Sequence, residues 1–181
     1  MFGLRRGGSY FRIARLPYVW CAVPFFFKPA DTAGKFARLR RLRLFATLTL
    51  RELQVIDTLY HERSFLKDEI IFDEGEEGQA LYAVLSGELL VLRRFDAAQV
   101  TLARLGPGDF FGEMALLDQA PRQAQVRAAT DTELLVFFRA DFMHLLQTHP
   151  RAASKISLQL ARHLAQRVRE ANQGKRMEGH L

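Results

Sequence analysis

One segment of the chain combines residue types that can hold an anion beside a hydroxyl group. It is residues 110–126, FFGEMALLDQAPRQAQV. Gly112 permits close backbone approach, and the residues after it read as one helical turn whose unpaired amides attract negative charge. Arg122, nine residues after Glu113 and directly behind Pro121, offers a guanidinium that can grip phosphate oxygens in a fork. The spacing therefore predicts an anion clamp.

Glu113 restricts which anions can bind at this clamp, because its carboxylate repels a phosphate. The repulsion is acceptable if the carboxylate accepts a hydrogen bond from a sugar hydroxyl. With Arg122, this predicts a nucleotide with one compact, cyclised phosphate. Each residue alone is better explained as a turn residue or a surface charge, so the prediction depends on their joint spacing.

The period of the apolar residues separates helices from strands. From Lys35 to residue 64 the period is helical, and Thr49 stands three residues before Glu52, which is the capping-box spacing. From about Phe65 the period is two, with glycine-rich turn signals between short apolar runs. This pattern indicates an antiparallel sandwich, roll or barrel. The strand candidates are residues 70–72, 80–85, 89–92, 100–102, 126–128 and 134–138.

Helical periodicity returns after the last strand candidate. Residues 141–147 form a short predicted helix, Pro150 separates it from a long amphipathic helix over 151–172, and Gly174 is expected to end that helix. A helix with one apolar stripe must cover another surface: the β-structure, the ligand base or a second copy. The stripe consists of Ala153, Ile156, Leu160, Leu164, Val168 and Ala171.

Charge is distributed unevenly along the chain. Residues 1–45 carry a net charge of +9, residues 46–150 a net of −8 and residues 151–181 a net of +5. The basic head contains an apolar run, residues 16–27, that is shorter than the roughly 20 residues a spanning helix needs. Because the run lacks a convincing signal cleavage site, we expect a cytoplasmic protein, with the head docking to an acidic partner or peripherally to the inner membrane surface. The single cysteine, Cys21, excludes an internal disulfide framework.

The sequence does not predict an enzyme. A metal-dependent β-barrel enzyme needs histidines on strands that face the barrel interior, and all histidines here fall on predicted helices, helix ends or the tail. No Ser–His, Cys–His or paired-carboxylate arrangement is evident, so we expect neither a metal nor a cofactor. The histidines are His61, His144, His149, His163 and His180.

Residues 110–124 resemble the phosphate-binding cassette of the cyclic nucleotide-binding domain family, which includes the catabolite activator protein, the regulatory subunits of cyclic-AMP-dependent kinase and the cyclic-nucleotide-gated channels. The family pattern, F-G-E-x-A-L…P-R-x-A, is met by Phe111, Gly112, Glu113, Ala115, Leu116, Pro121, Arg122 and Ala124. The resemblance covers about residues 35–172. It implies an α+β fold, in which an antiparallel β-roll (a double-stranded β-helix, jelly-roll-like) is flanked by N-terminal helices and a long C-terminal helix.

The resemblance also implies a division of the chain. A basic and aromatic extension, 1–34, precedes the binding domain, 35–174, and a polar tail, 175–181, follows it. Within the domain we expect N-terminal helices over 35–64, the β-roll over 65–138, the cassette at 110–124 and C-terminal helices over 139–174.

By the same resemblance, Glu113 binds the ribose 2′-hydroxyl and Arg122 the cyclic phosphate. Backbone amides of Gly112, Ala115 and Gln123 complete the pocket. Gln123 stands where many members have Ser, Thr or Ala, and the missing hydroxyl favours cyclic AMP over cyclic GMP. The expected ligand-binding set is Gly112, Glu113, Met114, Ala115, Arg122, Gln123 and Ala124.

The implied function is a regulatory cyclic nucleotide sensor that signals to a protein partner by moving its C-terminal helix. The same helix could also form a homodimer interface. One alternative is a transcription regulator of the catabolite activator type. Only nine residues follow Asn172, too few for a helix-turn-helix, so DNA recognition would have to use the basic head and is not favoured. The other alternative is a degenerate domain that keeps the fold as a protein-interaction module.

Overall fold

The computed structural model describes residues 32–95, 98–118 and 120–178 of the chain. The chain divides into units 1–30 and 31–181, and the described residues belong to the second. Predictions for residues 1–31, which include the apolar run 16–27 and Cys21, and for His180 lie outside the described residues. The helices are α1 (Thr32–Arg41), α2 (Leu50–Asp57), α3 (Met114–Leu117), α4 (Arg139–Thr148) and α5 (Pro150–Glu178). The strands are β1 (Tyr60–Phe65), β2 (Ile70–Phe72), β3 (Ala80–Ser86), β4 (Leu89–Phe95), β5 (Ala98–Leu105), β6 (Phe110–Phe111), β7 (Gln125–Ala128) and β8 (Thr132–Phe138).

The strands form two antiparallel four-stranded sheets, which confirms the predicted roll. The strand orders are β1-β8-β3-β6 and β2-β7-β4-β5. Successive strand residues face opposite sides, and in β8 this sends Leu134 towards the second sheet and Leu135 towards the helices. The interior between the sheets is built from Phe72, Val84, Leu89, Phe111, Val126, Ala128 and Leu134.

The larger apolar core lies on the helical side of the first sheet. Phe137 is fully buried there, with edge-to-face contacts to Phe45 at 6.3 Å and Phe142 at 6.1 Å between ring centroids. Leu160 of α5 is buried in the same core. The roll and the C-terminal helices therefore share one packed interface.

The helical prediction over 35–64 is wrong at its end, because Tyr60–Phe65 is strand β1. This edge strand pairs antiparallel with β8, from Tyr60 opposite Phe137 to Phe65 opposite Thr132. Its four central residues are exposed, so it lacks the apolar alternation that marks a half-buried strand. His61 is consequently on a strand rather than on a helix, and its ring packs against Phe138 at 5.6 Å.

The predicted end of the last helix at Gly174 is also wrong, since α5 continues to Glu178. A glycine inside a helix costs only about 1 kcal/mol relative to alanine, which does not by itself stop a helix. Pro150 is the first residue of α5, a position where the missing N–H removes no hydrogen bond. The apolar stripe is buried as far as Leu160, whereas Val168 is 60% exposed.

The predicted capping box at α2 is confirmed and is joined to α5. The Thr49 hydroxyl accepts from the Glu52 N–H at 3.4 Å, and the Thr49 N–H donates to Glu52 Oε2 at 2.7 Å. Lys155 of α5 donates to both carboxylate oxygens, at 2.9 and 2.7 Å. Burial acts to raise the pKa of Glu52, but the bonds from Lys155 and Thr49 outweigh it and leave that pKa below its ordinary value of 4.5.

We expect the Glu52 contacts to stabilise the fold less as the solution becomes acidic. A carboxyl group whose pKa is lowered by folding contributes fully above its unfolded pKa, and the contribution is lost as pH falls through the folded pKa. The free energies of unfolding of wild type and Glu52→Gln, measured in urea, should differ by about 1 kcal/mol at pH 7 and by less at pH 3.5. Glu170→Gln, on the exposed part of α5, is the control. An unchanged difference at both pH values would contradict the assignment.

Candidate functional site

Arg122 is buried and held by the backbone on both sides. Its Nη2 donates to the Ala80 carbonyl at 2.8 Å and its Nη1 to the Gly112 carbonyl at 3.2 Å. Its own N–H donates to Glu76 O and its carbonyl accepts from Gly75 N–H, both at 2.8 Å. The start of β3, the turn before α3 and the loop after β2 therefore fix one guanidinium in place.

Aromatic side chains form the wall beneath that guanidinium. Its central carbon lies 4.1 Å from the ring centroid of Phe72 and 5.8 Å from that of Tyr82. Phe111 stacks on Tyr82 at 5.3 Å and 13° between planes. A cation over an aromatic face is favourable by about 0.5–2 kcal/mol. This wall orients the guanidinium without neutralising its charge.

Arg122 has no counter-ion in the described part of the chain. Only 9% of the surface of Arg122 is exposed to solvent. No carboxylate among the described residues forms an ion pair with it. Its Nε is buried without a hydrogen-bond partner. Burial lowers the pKa of Arg122, while Tyr82, Glu113 and Glu76 act to raise it. A buried cation without a counter-ion is costly. The arrangement therefore favours an anion from outside the protein.

Glu113 lies at the start of the α3 turn and is also buried. Its side chain is 2% exposed, and its Oε1 accepts a hydrogen bond from Arg167 Nη1 at 2.8 Å. Arg167 is on α5 and is 56% exposed at its side chain. One turn earlier, the His163 ring packs against Phe110 at 4.4 Å, and burial lowers the pKa of His163. The cassette is thus covered by α5.

Two glycines let the backbone approach Arg122. Gly112 has φ +69°, and a Cβ there would lie 2.6 Å from Arg122 Nη1. A Cβ at Gly78 would lie 2.8 Å from Ala115 Cβ and 3.2 Å from Arg122 Cζ. Any side chain at either position would push against the site.

The structure brings together four of the predicted ligand-binding residues, Gly112, Glu113, Ala115 and Arg122. The Ala115 N–H, expected to face a phosphate, donates to the Gly112 carbonyl at 3.2 Å. The other three lie beside this group: Met114 and Ala124 are half-buried and Gln123 is exposed. Their contacts with a ligand stay predictions.

Sequence reasoning missed Arg167, Gly78 and the aromatic wall. Arg167 follows Leu160 by seven residues, so helical periodicity places both on one face of α5. That spacing was the available signal. In the described ranges no three His, Cys, Asp or Glu side chains group closely enough to hold a metal ion. None of the helices described is both long and apolar enough to cross a membrane.

Comparison with known proteins adds a consistent set of relatives. Residues 62–149 match the family model described as the cyclic nucleotide-binding domain. The chain is 41% identical over 130 residues to the cyclic AMP receptor protein of Thermus thermophilus, which covers 71% of this chain and 58% of that protein. The chain thus spans little more than half of that relative.

Two solved structures extend the likeness to the fold. The N-terminal domain of a transcriptional regulator from Streptomyces coelicolor shares 31% identity with a TM-score of 0.63, over 76% of this chain and 94% of that one. The regulatory domain of Toxoplasma gondii PKA with cAMP shares 32% identity with a TM-score of 0.58, over 64% of this chain and 46% of that one.

Proposed function

We propose that this chain, which belongs to the cyclic nucleotide-binding domain family, senses cyclic AMP in preference to cyclic GMP and acts by binding rather than catalysis. The observation that carries the proposal is the buried guanidinium of Arg122, which lacks a carboxylate partner in the described residues. A relative named a cyclic AMP receptor protein and a related domain solved with cAMP support the choice of ligand. Gln123 has no side-chain hydroxyl, which supports the preference for cyclic AMP over cyclic GMP.

Calorimetry with cyclic AMP, cyclic GMP and linear 5′-AMP tests the proposal. We expect one site per chain, with cyclic AMP bound most tightly and the linear nucleotide most weakly. The linear phosphate is larger and more highly charged than the single cyclised phosphate that Arg122 and the Gly112 turn enclose. Absence of binding to either cyclic nucleotide would contradict the proposal and favour a degenerate domain that serves protein interaction.

We expect Glu113→Gln to reduce discrimination between cyclic AMP and its 2′-deoxy analogue, because the glutamine amide oxygen still accepts a hydrogen bond but without the negative charge. A carboxylate that accepts the 2′-hydroxyl bond makes a charge-assisted contact, worth about 1.5–3 kcal/mol, which the deoxy ligand cannot make. Wild type should therefore prefer the ribose ligand by about tenfold or more, and the variant should prefer it less, with an affinity loss larger for the ribose ligand than for the deoxy ligand. Equal losses for the two ligands would show that Glu113 does not bind the hydroxyl.

We further propose that α5 transmits occupancy to a protein partner or to a second copy of the chain. Leu164 is half-buried and follows His163, whose ring packs against Phe110. Leu158 and Val168 expose apolar surface beyond the core. These side chains offer contacts to the ligand base on one face and to a partner on another. Amide exchange along 151–172, with and without cyclic AMP, is the corresponding measurement.

A transcription regulator of the catabolite activator type is the second candidate. Identity to a cyclic AMP receptor protein and to the N-terminal domain of a transcriptional regulator favours it. A DNA mobility-shift assay at two salt concentrations distinguishes it, because phosphate contacts weaken steeply with salt.

Docking of the basic head to an anionic membrane or acidic partner remains a proposal, tested by co-sedimentation with anionic vesicles.

A further inference from the structure

The long helix α5 packs on the roll through a contact between two aromatic rings. The ring centroids of His163, on α5, and Phe110, on β6, lie 4.4 Å apart. Phe110 is buried and His163 is half-buried. One turn earlier Leu160 is buried in the core, whereas residues 165–170 are exposed. The His163 ring therefore lies near the end of the interface between α5 and the roll.

Charged side chains from four segments of the chain act on the His163 ring. They are Glu113 at the start of the α3 turn, Asp109 before β6, Arg43 after α1 and Arg167 on α5. The acids favour a proton on His163 and the bases oppose it. Glu113 pairs with Arg167 at 2.8 Å. Asp109 pairs with Arg43 at 3.4 Å. Because each acid faces a base, the four charges largely offset one another at the ring.

Burial then determines the protonation of His163. Removal of the ring from water disfavours its charged form and is the main cause that lowers the pKa of His163 below its ordinary value of 6.5. The ring is therefore neutral at pH 7 and packs on Phe110 as an apolar group. A proton would place a positive charge in this interface, and Glu113 and Asp109, which are already paired, offset that charge only in part.

We propose that His163 and Phe110 form an acid-sensitive contact, in which a proton on His163 weakens the packing of α5 on the roll. The effect does not require a bound nucleotide, so acidity acts on the domain as an input of its own. The other histidines among the described residues, His61, His144 and His149, are exposed. Their protonation adds no charge to a buried interface.

The sign of the pH dependence follows from the lowered pKa of His163. Above about pH 6.5 the ring is neutral whether α5 is packed or released, so packing does not depend on pH. Below that value the released helix takes up a proton first. Packing therefore weakens as the pH falls through the interval between the pKa values of the two states. A difference of one proton changes the equilibrium for release by at most about tenfold per pH unit.

Amide hydrogen exchange on the ligand-free protein, between about pH 7.5 and about pH 5.5, measures the release of α5. Protection factors over 156–167 should fall about three- to tenfold across this range, after correction for the intrinsic pH dependence of exchange. Those over 50–57, in α2, should change less than about twofold. The range stays above 4.5, the ordinary pKa of Glu52, so the contact of Glu52 with Lys155 of α5 is retained.

Two substitutions at position 163 separate the proton from the packing. His163→Leu keeps an apolar side chain against Phe110 but cannot take up a proton, so its protection factors should not depend on pH in this range. His163→Lys carries a charge throughout, so its protection should be lower than that of His163→Leu at every pH. His144→Leu, at an exposed position of α4, is the matched control and should keep the pH dependence of wild type.

Three results would overturn the proposal. One is wild-type protection over 156–167 that does not change across the pH range. Another is an equal fall in His163→Leu, which would place the titrating group elsewhere. The third is a rise in protection on acidification, which would mean that Glu113 or the face of Phe110 stabilises the charged ring. None of these results bears on cyclic nucleotide binding, so the proposed function is tested separately.

Discussion

Arg122→Ala is expected to weaken cyclic AMP binding by about 1.5–3 kcal/mol, which is about 12- to 150-fold in Kd. The guanidinium is the buried cation that faces no carboxylate partner within the described residues, and its Nε has no acceptor. Removing it takes away both the charge and the forked donor that we propose hold the phosphate. Calorimetry on wild type and variant measures the loss.

The same substitution should have little effect on the ligand-free fold. It removes the donors to the Ala80 and Gly112 carbonyls, but it also removes a buried charge that lacks a counter-ion, and these effects oppose each other. Arg94→Ala, an exposed arginine on β4, is the control for loss of positive charge. Strong destabilisation of Arg122→Ala without ligand, or unchanged affinity, would mean that Arg122 is structural.

Gly112→Ala is expected to weaken binding by about tenfold or more through displacement of Arg122. Its φ of +69° is unfavourable for alanine, and the new Cβ would lie 2.6 Å from Arg122 Nη1 and 3.3 Å from the Ala80 carbonyl. The backbone strain alone costs about 1–2 kcal/mol of stability. The clash moves the guanidinium away from its acceptors and from the ligand.

Gly108→Ala separates strain from displacement. Gly108 has φ +94°, and its would-be Cβ meets only the Arg41 carbonyl oxygen, at 3.3 Å, so its alanine variant bears the backbone strain away from Arg122. Both variants should lose similar stability in urea unfolding, and only Gly112→Ala should lose affinity substantially. Comparable affinity losses in the two variants would place the cause in the backbone rather than at Arg122.

The sequence by itself determined the features that depend on local spacing. Gly112, Glu113 and Arg122 lie within one short segment, so their types and separations predicted a phosphate site. The capping box at Thr49 was equally local. The period of two predicted an antiparallel β-structure, because alternating residues must face a core on one side. The resemblance of the cassette then specified a roll.

Only the tertiary structure decided the features whose cause lies in distant residues. Strand β1 carries no apolar alternation and exists because β8 offers it hydrogen bonds. The α5 helix continues past Gly174. The free-energy cost of one glycine in a helix is smaller than the stabilisation from the helix hydrogen bonds that continue beyond it. Glu113 and Arg167 are 54 residues apart, and their contact requires α5 to be packed on the roll. The local sequence around Glu113 or Arg167 does not predict their contact. The two charges come together because Leu160 of α5 is buried in the common core.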